Sequence, residues 1–346
     1  MKQKIIISAC SIVIIVSVYF SFILFGSTTK FKQEKAFLFI HPNEQTLNEI
    51  TANLVFNKMI SSPLTFKLMA SYFKIDEKVK AGKYEIKKGE SLISILKILK
   101  NNHQSTVKLV INKIRILNEF ARLLDKNFGL DSISVLQFIT NKDSLNTIGI
   151  KDDLLFDKRT FITTIIPNTY EFYWNASIKK IILKLYDGYK LFWTEERKQK
   201  AQSKKLTTNQ VTTIASIVEE ETNKNDEKEQ VASVYINRLK IGMPLGADPT
   251  IKYAVNDFTL KRIYFNHLKT VSEYNTYLNK GLPPGPICTP SKQSIDAVLN
   301  ATETKYLYFV AKADFSGYHD FSETFAEHKK KAAVYQQKLN ELNSKK

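Results

Sequence analysis

The longest apolar stretch of the chain lies near its N-terminus. Residues 5–25 carry no charged side chain, and as a helix rising about 1.5 Å per residue they would cross the roughly 30 Å hydrocarbon core of a bilayer. A cleavable signal peptide has a shorter apolar core, about 7–15 residues, and a small-x-small cleavage site that is not evident here. We therefore predict a transmembrane helix at 5–25 after a short tail at 1–4. Lysines lie on both sides, so charge alone leaves the orientation open.

Beyond residue 36 the pattern changes to short apolar helices followed by alternation. Residues 81–92 alternate and then continue at helical spacing behind Ser91, which predicts a strand, a turn and a capped helix. This stretch resembles the Tyr-x-Val-x-x-Gly-Asp-Ser/Thr-Leu signature of LysM, a small glycan-binding module. We predict a LysM-like module at 36–103, and the alternative is an ordinary connection between a strand and a helix.

Residues 104–205 mix strand-like and helical patterns, which predicts a connecting α+β region. Residues 107–111 have the pattern of a strand and residues 117–128 that of an amphipathic helix. Residues 167–174 are rich in aromatic side chains, which can stack on sugar rings or build a core, and we expect core for most of them. Residues 179–205 form a long basic helical stretch that leads into the last domain.

The last domain, predicted at 206–346, begins with a helix that has a clear start signal. Thr207 and Gln210 have the spacing of a capping box, in which each side chain bonds to the backbone N–H of the other. Five positions at helical spacing then form one buried face: Val211, Ile214, Ala215, Val218 and Thr222. The helix ends in three consecutive glutamates, although negative charge near a helix C-terminus opposes the macrodipole by about 0.3–1 kcal/mol per residue.

The three glutamates should point in different directions. At about 100° per residue, Glu220 points away from the apolar face, Glu219 lies at its edge and Glu221 falls within it. Partial desolvation would raise the pKa of Glu219, which suits a general acid that must hold a proton near neutral pH. We predict Glu219 as the catalytic acid and Glu221 as a buried orienting partner. The alternative is a solvated acidic helix end that balances the lysines.

A series of polar and aromatic motifs follows, on a second helix and on loops rich in Pro and Gly. They are Ala215-Ser216-Ile217-Val218-Glu219-x-Glu221-Thr222, Asn237-Arg238-Leu239, Asp248-Pro249-Thr250, Tyr274-Asn275-Thr276-Tyr277, Gly281-Leu282-Pro283-Pro284-Gly285-Pro286-Ile287 and Tyr306-Leu307-Tyr308-Phe309-Val310. In content and order they resemble the membrane-bound endolytic murein transglycosylases of bacteria. The matches are dense between about 205 and 330, and the apolar and LysM-like stretches fit the N-terminal half of that family.

The resemblance implies a single-pass inner-membrane protein with its bulk outside the cytoplasm. It would cut the β-1,4 bond between N-acetylmuramic acid and N-acetylglucosamine within nascent peptidoglycan strands and so end their elongation. The catalytic acid of the family, the first Glu of Val-Glu-x-Glu-Thr, maps onto Glu219. The residues expected to bind substrate or support the acid are Glu221, Asn237, Asp248, Thr250, Tyr274, Asn275, Thr276 and Tyr277. Peptidoglycan synthases are the expected protein partners.

The expected reaction needs a single acid. Protonated Glu219 would give its proton to the leaving glycosidic oxygen and then accept the proton of the muramic acid 6-hydroxyl, which attacks C1 and closes a 1,6-anhydro ring. A hydrolase would need a second carboxylate at roughly 5–9.5 Å. Asp248 is the obvious candidate, but lining the site and forming the turn of its own loop fit it equally well, and both fit it better than the role of a nucleophile. The alternative function is a membrane-tethered, non-catalytic adaptor that binds peptidoglycan.

The sequence also departs from the family pattern. Gly246 stands two positions ahead of Asp248, where the family often has Gln, so one expected sugar contact is missing. Ile162-Thr163 replaces Glu-Gly and Pro167-Asn168 replaces Pro-Asp, which leaves the geometry of the middle region open.

Charge and composition exclude several other classes. Lys and Arg number 51 against 34 Asp and Glu, a net charge of +17 that favours anionic polymers or surfaces as neighbours. Only six of the 51 are Arg, the residue that reads base edges and phosphates, so we do not expect nucleic acid binding. Cys10 lies in the apolar stretch, far from Cys288, so we expect no disulfide. The five histidines lack metal-ligand spacing and there is no phosphate-binding glycine motif, so we predict no metal and no cofactor.

Overall fold

The chain folds into a mixed α+β structure, as predicted. The computed structural model describes residues 2–41, 46–151 and 157–344. Its Cα positions divide into two units: one of Met1–Leu109 with Glu171–Ala176, and one of Val110–Tyr170 with Ser177–Lys346. We refer to them as the first and the second unit.

The N-terminal part of the chain alternates helices with short strands. In chain order the elements up to residue 111 are α1 (Lys2–Phe25), β1 (Lys35–Ile40), α2 (Leu47–Phe56), α3 (Pro63–Tyr72), α4 (Ile75–Lys78), β2 (Gly82–Lys87), α5 (Leu92–Lys100) and β3 (Thr106–Ile111). β1 pairs with β2 in an antiparallel ladder in which Leu38 lies opposite Tyr84. β3 pairs with β4, which follows later in the chain.

The first unit has its own hydrophobic core between the β1–β2 ladder and the helices. Leu38, Tyr84 and Leu96 are among its buried members. The strand, turn and helix predicted at 81–92 are confirmed: β2 ends at Lys87, and the Ser91 hydroxyl accepts the Ser94 N–H at the start of α5. Whether this stretch functions as a LysM module stays a prediction.

The prediction of a membrane anchor at 5–25 is wrong. Within the described residues, no helix combines the length and the hydropathy that crossing a bilayer requires. α1 instead ends against protein, since Ile23 and Leu24 lie partly buried on the core of the first unit. An uncharged apolar run does not by itself distinguish side chains that face lipid from side chains that pack on a core. The predicted single-pass location in the inner membrane is corrected accordingly.

The remainder of the chain is mainly helical. Its elements are α6 (Leu117–Phe128), α7 (Ser132–Thr140), α8 (Lys142–Asn146), β4 (Asn168–Tyr173), α9 (Ile178–Phe192), α10 (Glu195–Ser203), α11 (Thr208–Glu221), α12 (Lys228–Lys240), α13 (Asp248–Ala254), α14 (Lys292–Asn300), β5 (Tyr308–Ala311), β6 (His319–Ser322) and α15 (Phe325–Asn343). The predicted helix at 117–128 has those bounds. The stretch at 179–205 is two helices rather than one, because the Thr194 side chain accepts the Arg197 N–H and starts α10.

The core of the second unit forms around α11. This helix packs against α12, α13 and α14. The five positions expected on its apolar face are all buried, but so are Thr212, Thr213, Ser216 and Ile217. α11 is therefore enclosed on nearly every side rather than along a single stripe, because helices cover it from several directions. Its acidic C-terminal turn emerges from this core.

Candidate active site

Local sequence signals fix the start of α11 and hence the position of its acidic end. The Thr207 hydroxyl accepts the Gln210 N–H at 3.2 Å, and the Gln210 side chain accepts the Thr207 N–H at 2.8 Å. The predicted capping box is therefore confirmed. The helix ends at Glu221, and its last three residues are the glutamates, whose side chains lie in three different environments.

Glu219 lies where three elements meet, and its side chain is 16% exposed. One of its carboxylate oxygens, Oε2, accepts hydrogen bonds from Ser291 Oγ at 2.6 Å and from Ser294 Oγ. The Ser291 backbone N–H approaches the same oxygen at 3.3 Å. Lys228 Nζ, from the first turn of α12, lies 3.2 Å away. Because Ser291 is the N-cap of α14, Glu219 also occupies the positive end of a helix dipole.

These contacts reverse the pKa shift that the sequence predicted for Glu219. Burial of the carboxyl favours the neutral form, but the hydrogen bonds from Ser291 and Ser294 and the charge of Lys228 outweigh it, so the pKa of Glu219 lies below its usual value. The expectation of a raised pKa was wrong because it considered only the apolar face of α11. All three stabilising groups come from elsewhere in the chain.

Glu219 opens onto a cleft of about 440 Å³ in the second unit. The cleft is lined by residues from the end of β3, the start of β4, α11 and the N-cap of α14: Ile111, Asn112, Lys113, Pro167, Asn168, Thr169, Glu219 and Ser291. Among these described lining residues, Glu219 carries the only carboxyl group. Pro167 and Asn168, where the sequence departs from the family pattern, form part of this wall.

Glu220 takes no part in lining that cleft. Its carboxylate pairs with Lys113 Nζ at 2.9 Å and with Arg115 Nη2 at 3.2 Å. The prediction that Glu220 points away from the apolar face of the helix left its partners open, and the structure places it against these two cations rather than in solvent. The acidic end of α11 is not a free, solvated helix terminus.

Glu221 lies on the other side of the helix in a half-buried position. Tyr235 donates its hydroxyl to Glu221 Oε1 at 2.6 Å. Burial raises the pKa of Glu221 to about 7, the hydrogen bond from Tyr235 opposes that rise, and the negative charge of Asp248 adds to it. The carboxyl group with a pKa near neutrality is thus Glu221, and not Glu219.

The predicted residues of the 248–250 and 274–277 segments lie together. Tyr277 donates its hydroxyl to Asp248 at 2.6 Å, and Thr250 and Thr276 share a hydrogen bond between their hydroxyls at 2.8 Å. Thr276 also accepts the Ala247 N–H at 3.0 Å. We call this set of contacts the loop clasp. It is an electrostatic neighbour of Glu221, through Asp248.

Three of the predicted residues serve contacts within the protein. Asn275 is fully buried, and its amide donates to the Leu268 and Thr270 carbonyls. Asn237 donates to the carbonyls of Thr304 and Tyr306. Tyr274 packs its ring on Tyr253, with centroids 4.5 Å apart. The structure thus holds these side chains away from the Glu219 cleft lining.

Gly246, where the family often has Gln, occupies a restricted backbone position. Its φ is +56°, and a Cβ there would lie 3.4 Å from Arg238 Nη1 and 3.7 Å from the Tyr277 ring. The space admits a Cβ at ordinary contact distances, so it is the left-handed backbone conformation that strains any side chain and accounts for glycine here.

Comparison with known proteins assigns the chain to a family. The YceG-like family model matches residues 39–334. The chain belongs to the YceG-like family. The resemblance inferred from the ordered motifs is therefore confirmed, and the match extends well beyond the segment in which those motifs are dense.

Relatives of known sequence carry one name. An endolytic murein transglycosylase of Bacillus subtilis (strain 168) is 28% identical over 309 residues, covering 87% of this chain and 85% of that protein. An endolytic murein transglycosylase of Streptococcus pneumoniae (strain R6) is 26% identical over 300 residues, covering 78% of this chain and 53% of that protein. The chain thus spans about half the length of the streptococcal relative.

A solved structure has a similar fold. The crystal structure of a yceG-like protein from Listeria monocytogenes aligns with a TM-score of 0.59 at 27% sequence identity. The alignment covers 86% of this chain and 99% of the Listeria chain.

Sequence reasoning missed the partners of Glu219. Ser291 carried a signal, since it follows Pro290 and precedes a helical run, the pattern of an N-cap. Lys228 carried none beyond its place at the start of the second helix. Ser291 lies 72 positions beyond Glu219 in the chain, so helical periodicity could not bring the two together.

Proposed function

We propose that the chain is a peptidoglycan lytic transglycosylase. It cuts the β-1,4 bond between N-acetylmuramic acid and N-acetylglucosamine within glycan strands and leaves 1,6-anhydro-muramic acid ends. The names of its relatives support peptidoglycan as the substrate. Glu219 acts as the acid and then as the base.

The observation that carries this proposal is the single carboxyl group in the cleft. Retaining and inverting hydrolases place two carboxyl groups on either side of the scissile bond. In the cleft as described, Glu219 stands alone, while Glu220 is paired with two cations and Asp248 is bonded to Tyr277. A site with one acid suits the intramolecular attack of the muramic acid 6-hydroxyl, which needs no activated water.

Glu219 both gives and recovers one proton in each reaction cycle. The protonated carboxyl gives its proton to the glycosidic oxygen as the C1–O bond breaks. The resulting carboxylate accepts the proton of the 6-hydroxyl as its oxygen bonds to C1. Glu219 is therefore protonated again after each cleavage, and water is not consumed.

A bound strand would make the protonated form of Glu219 accessible. Sugar rings that fill the cleft exclude water from the carboxyl, and desolvation raises the pKa of an acid. The free protein holds Glu219 as a carboxylate, so binding has to supply this rise. Glu221 and the loop clasp support the end of α11 rather than reacting with the sugar.

The wider role follows from the same activity. Cleavage within a strand ends its elongation, so we propose that the protein limits strand length and works beside peptidoglycan synthases. The LysM-like stretch at 81–92 is a second place for glycan to bind, and 206–346 is the proposed catalytic domain.

The test is digestion of purified murein with the full-length chain and its Glu219→Gln variant, with the sugars analysed by mass spectrometry. We expect 1,6-anhydro ends from the wild type and a loss of at least about 100-fold in the variant, because general acid–base catalysis contributes about 10²–10⁴-fold. The matched control is Glu195→Gln, which removes an exposed carboxyl of α10 that pairs with Lys198. It should keep full activity.

Two further variants sharpen the result. Glu219→Gln leaves the buried Lys228 without its carboxylate, so the double variant Glu219→Gln/Lys228→Met checks that lost activity does not reflect lost folding. Asp248→Asn should still yield anhydro ends. Ordinary reducing ends from the wild type would indicate a hydrolase, and intact strands that bind tightly would indicate the non-catalytic adaptor.

A further inference from the structure

Lys228 is a buried cation whose position depends on Glu219. Its side chain is only 6% exposed, and Nζ lies 3.2 Å from Glu219 Oε2. It is also the first residue of α12, where the helix macrodipole disfavours a positive charge. Both burial and the dipole therefore oppose an ammonium group here, and the Glu219 carboxylate compensates for them.

Lys228 is the cation that contacts Glu219 directly, because the other polar and titratable groups nearby are uncharged or pair elsewhere. From α14 come the hydroxyls of Ser291 and Ser294, which carry no charge. Lys113 lines the same cleft. Both Lys113 and Arg115, however, pair with Glu220 rather than with Glu219. The buried Cys288 thiol also interacts electrostatically with Glu219, and burial raises the pKa of this thiol, so that it is neutral.

We propose that Lys228 is a positioning residue of the reaction, which holds Glu219 in its ionised form in the free protein and thereby restricts cleavage until a strand occupies the cleft. This inference rests on the proposed function of Glu219. Lys228 makes no contact with the sugar in this scheme and acts only through the carboxyl group. Its effect is to lower the fraction of protein that carries the reactive proton.

The proposal predicts the direction in which the pH dependence of kcat/KM changes when the charge of Lys228 is removed. Cleavage requires protonated Glu219, so kcat/KM falls as pH rises through the pKa of Glu219 in the free protein. A cation within about 4–6 Å lowers the pKa of a carboxyl. Removing the charge of Lys228 therefore moves this fall in activity to higher pH, by about one unit or more, and raises kcat/KM about tenfold at neutral pH.

The experiment compares the full-length wild type with Lys228→Met, an uncharged side chain of similar length. The readouts are the pH profile of kcat/KM on murein and the titration of the Glu219 side-chain carboxyl by ¹³C NMR, assigned with Glu219→Gln. We expect both midpoints to move upward together in Lys228→Met. Lys228→Arg should restore the wild-type midpoint, because it keeps the charge. If the Met variant does not fold, Lys228→Gln replaces it.

The matched control is Lys338→Met on α15, which removes an exposed lysine paired with Glu341 at 3.0 Å. It changes the net charge equally and should leave both midpoints in place. An unchanged or lowered Glu219 titration in Lys228→Met overturns the proposal, whatever the activity. A raised titration in a protein that yields no anhydro ends supports the role of Lys228 and instead defeats the proposed function.

Discussion

Glu219 and Glu221 show how two carboxyl groups on one helical turn acquire opposite properties. Glu219 accepts two serine hydroxyls and faces a lysine, which favours its charged form. Burial and the nearby charge of Asp248 favour the neutral form of Glu221, against the opposing effect of the Tyr235 hydrogen bond. Two residues on an α-helix are about 200° apart, so they contact different elements. The direction of each pKa shift follows from those elements and not from α11 itself.

Glu221 should make the stability of the protein depend on pH. Its pKa is about 7 when folded against an ordinary value of 4.5, so between these values the folded state holds a proton that the unfolded state releases. The free energy of unfolding therefore falls as pH rises from about 4.5 to 7, by about 3 kcal/mol from this group. Glu221→Gln, which stays neutral, should show a flatter dependence in urea unfolding across that range.

The control for this prediction is Glu195→Gln, since an exposed carboxyl has little effect on this dependence. It should follow the wild-type curve. If Glu221→Gln lost as much stability as the wild type between pH 4.5 and 7, other groups would be responsible.

Among the elements, α11 and the loop clasp jointly place the acidic turn. α11 is covered by α12, α13 and α14, so its C-terminal turn has little freedom to move. The clasp joins the start of α13 to the 274–277 segment through buried hydroxyls. The buried hydroxyls of Thr250 and Thr276 satisfy one another, so this part of the clasp serves as a structural junction.

Thr276 is the central residue of that junction. Thr276→Val would remove the acceptor of the buried Ala247 N–H and the hydrogen bond between the Thr276 and Thr250 hydroxyls, at a cost of about 1–3 kcal/mol in the free energy of unfolding. The denaturation midpoint measures this loss. Thr276→Ser keeps the hydroxyl and should lose less stability than the Val variant. Equal losses in the two variants would mean that the methyl group, and not the hydrogen bond, matters.

The whole molecule carries a strong positive charge that comes mostly from lysine. A net charge of +17 attracts anionic polymers over distances set by the Debye length, about 10 Å at 0.1 M salt and about 3 Å at 1 M. Lysine provides charge without the fixed fork of arginine. Such a charge favours the accumulation of an acidic polymer around the protein, and in the proposed function the Glu219 cleft then selects the bond to be cut.

Binding to murein should accordingly weaken with salt. We expect the fraction of the Glu219→Gln variant that sediments with purified murein to fall several-fold between 0.05 and 0.5 M NaCl, because screening removes the attraction between separated charges. This variant is used so that the polymer stays intact during the measurement. Chitin, an uncharged polymer of N-acetylglucosamine, is the control. A similar loss on both polymers would point to a cause other than charge.

The sequence by itself determined the features that depend on neighbouring residues. The capping box at Thr207, the helix at 117–128 and the strand–turn–helix at 81–92 are written in local spacing, because caps and periodicity act within a few residues. Ordered motifs were sufficient to identify the family. The same reasoning singled out the 219–221 turn and the separate directions of its glutamates.

Tertiary structure decided the features that depend on distant partners. Ser291, Ser294 and Lys228 turned the expected rise in the pKa of Glu219 into a decrease, since a pKa responds to every group within a few ångströms, whatever its place in the chain. Lys113 and Arg115, which precede α11 by about a hundred residues, likewise pair with Glu220 and remove it from solvent. The apolar run at 5–25 was misread because hydropathy carries no information on tertiary contacts: the end of this helix, at Ile23 and Leu24, packs on the core of the first unit.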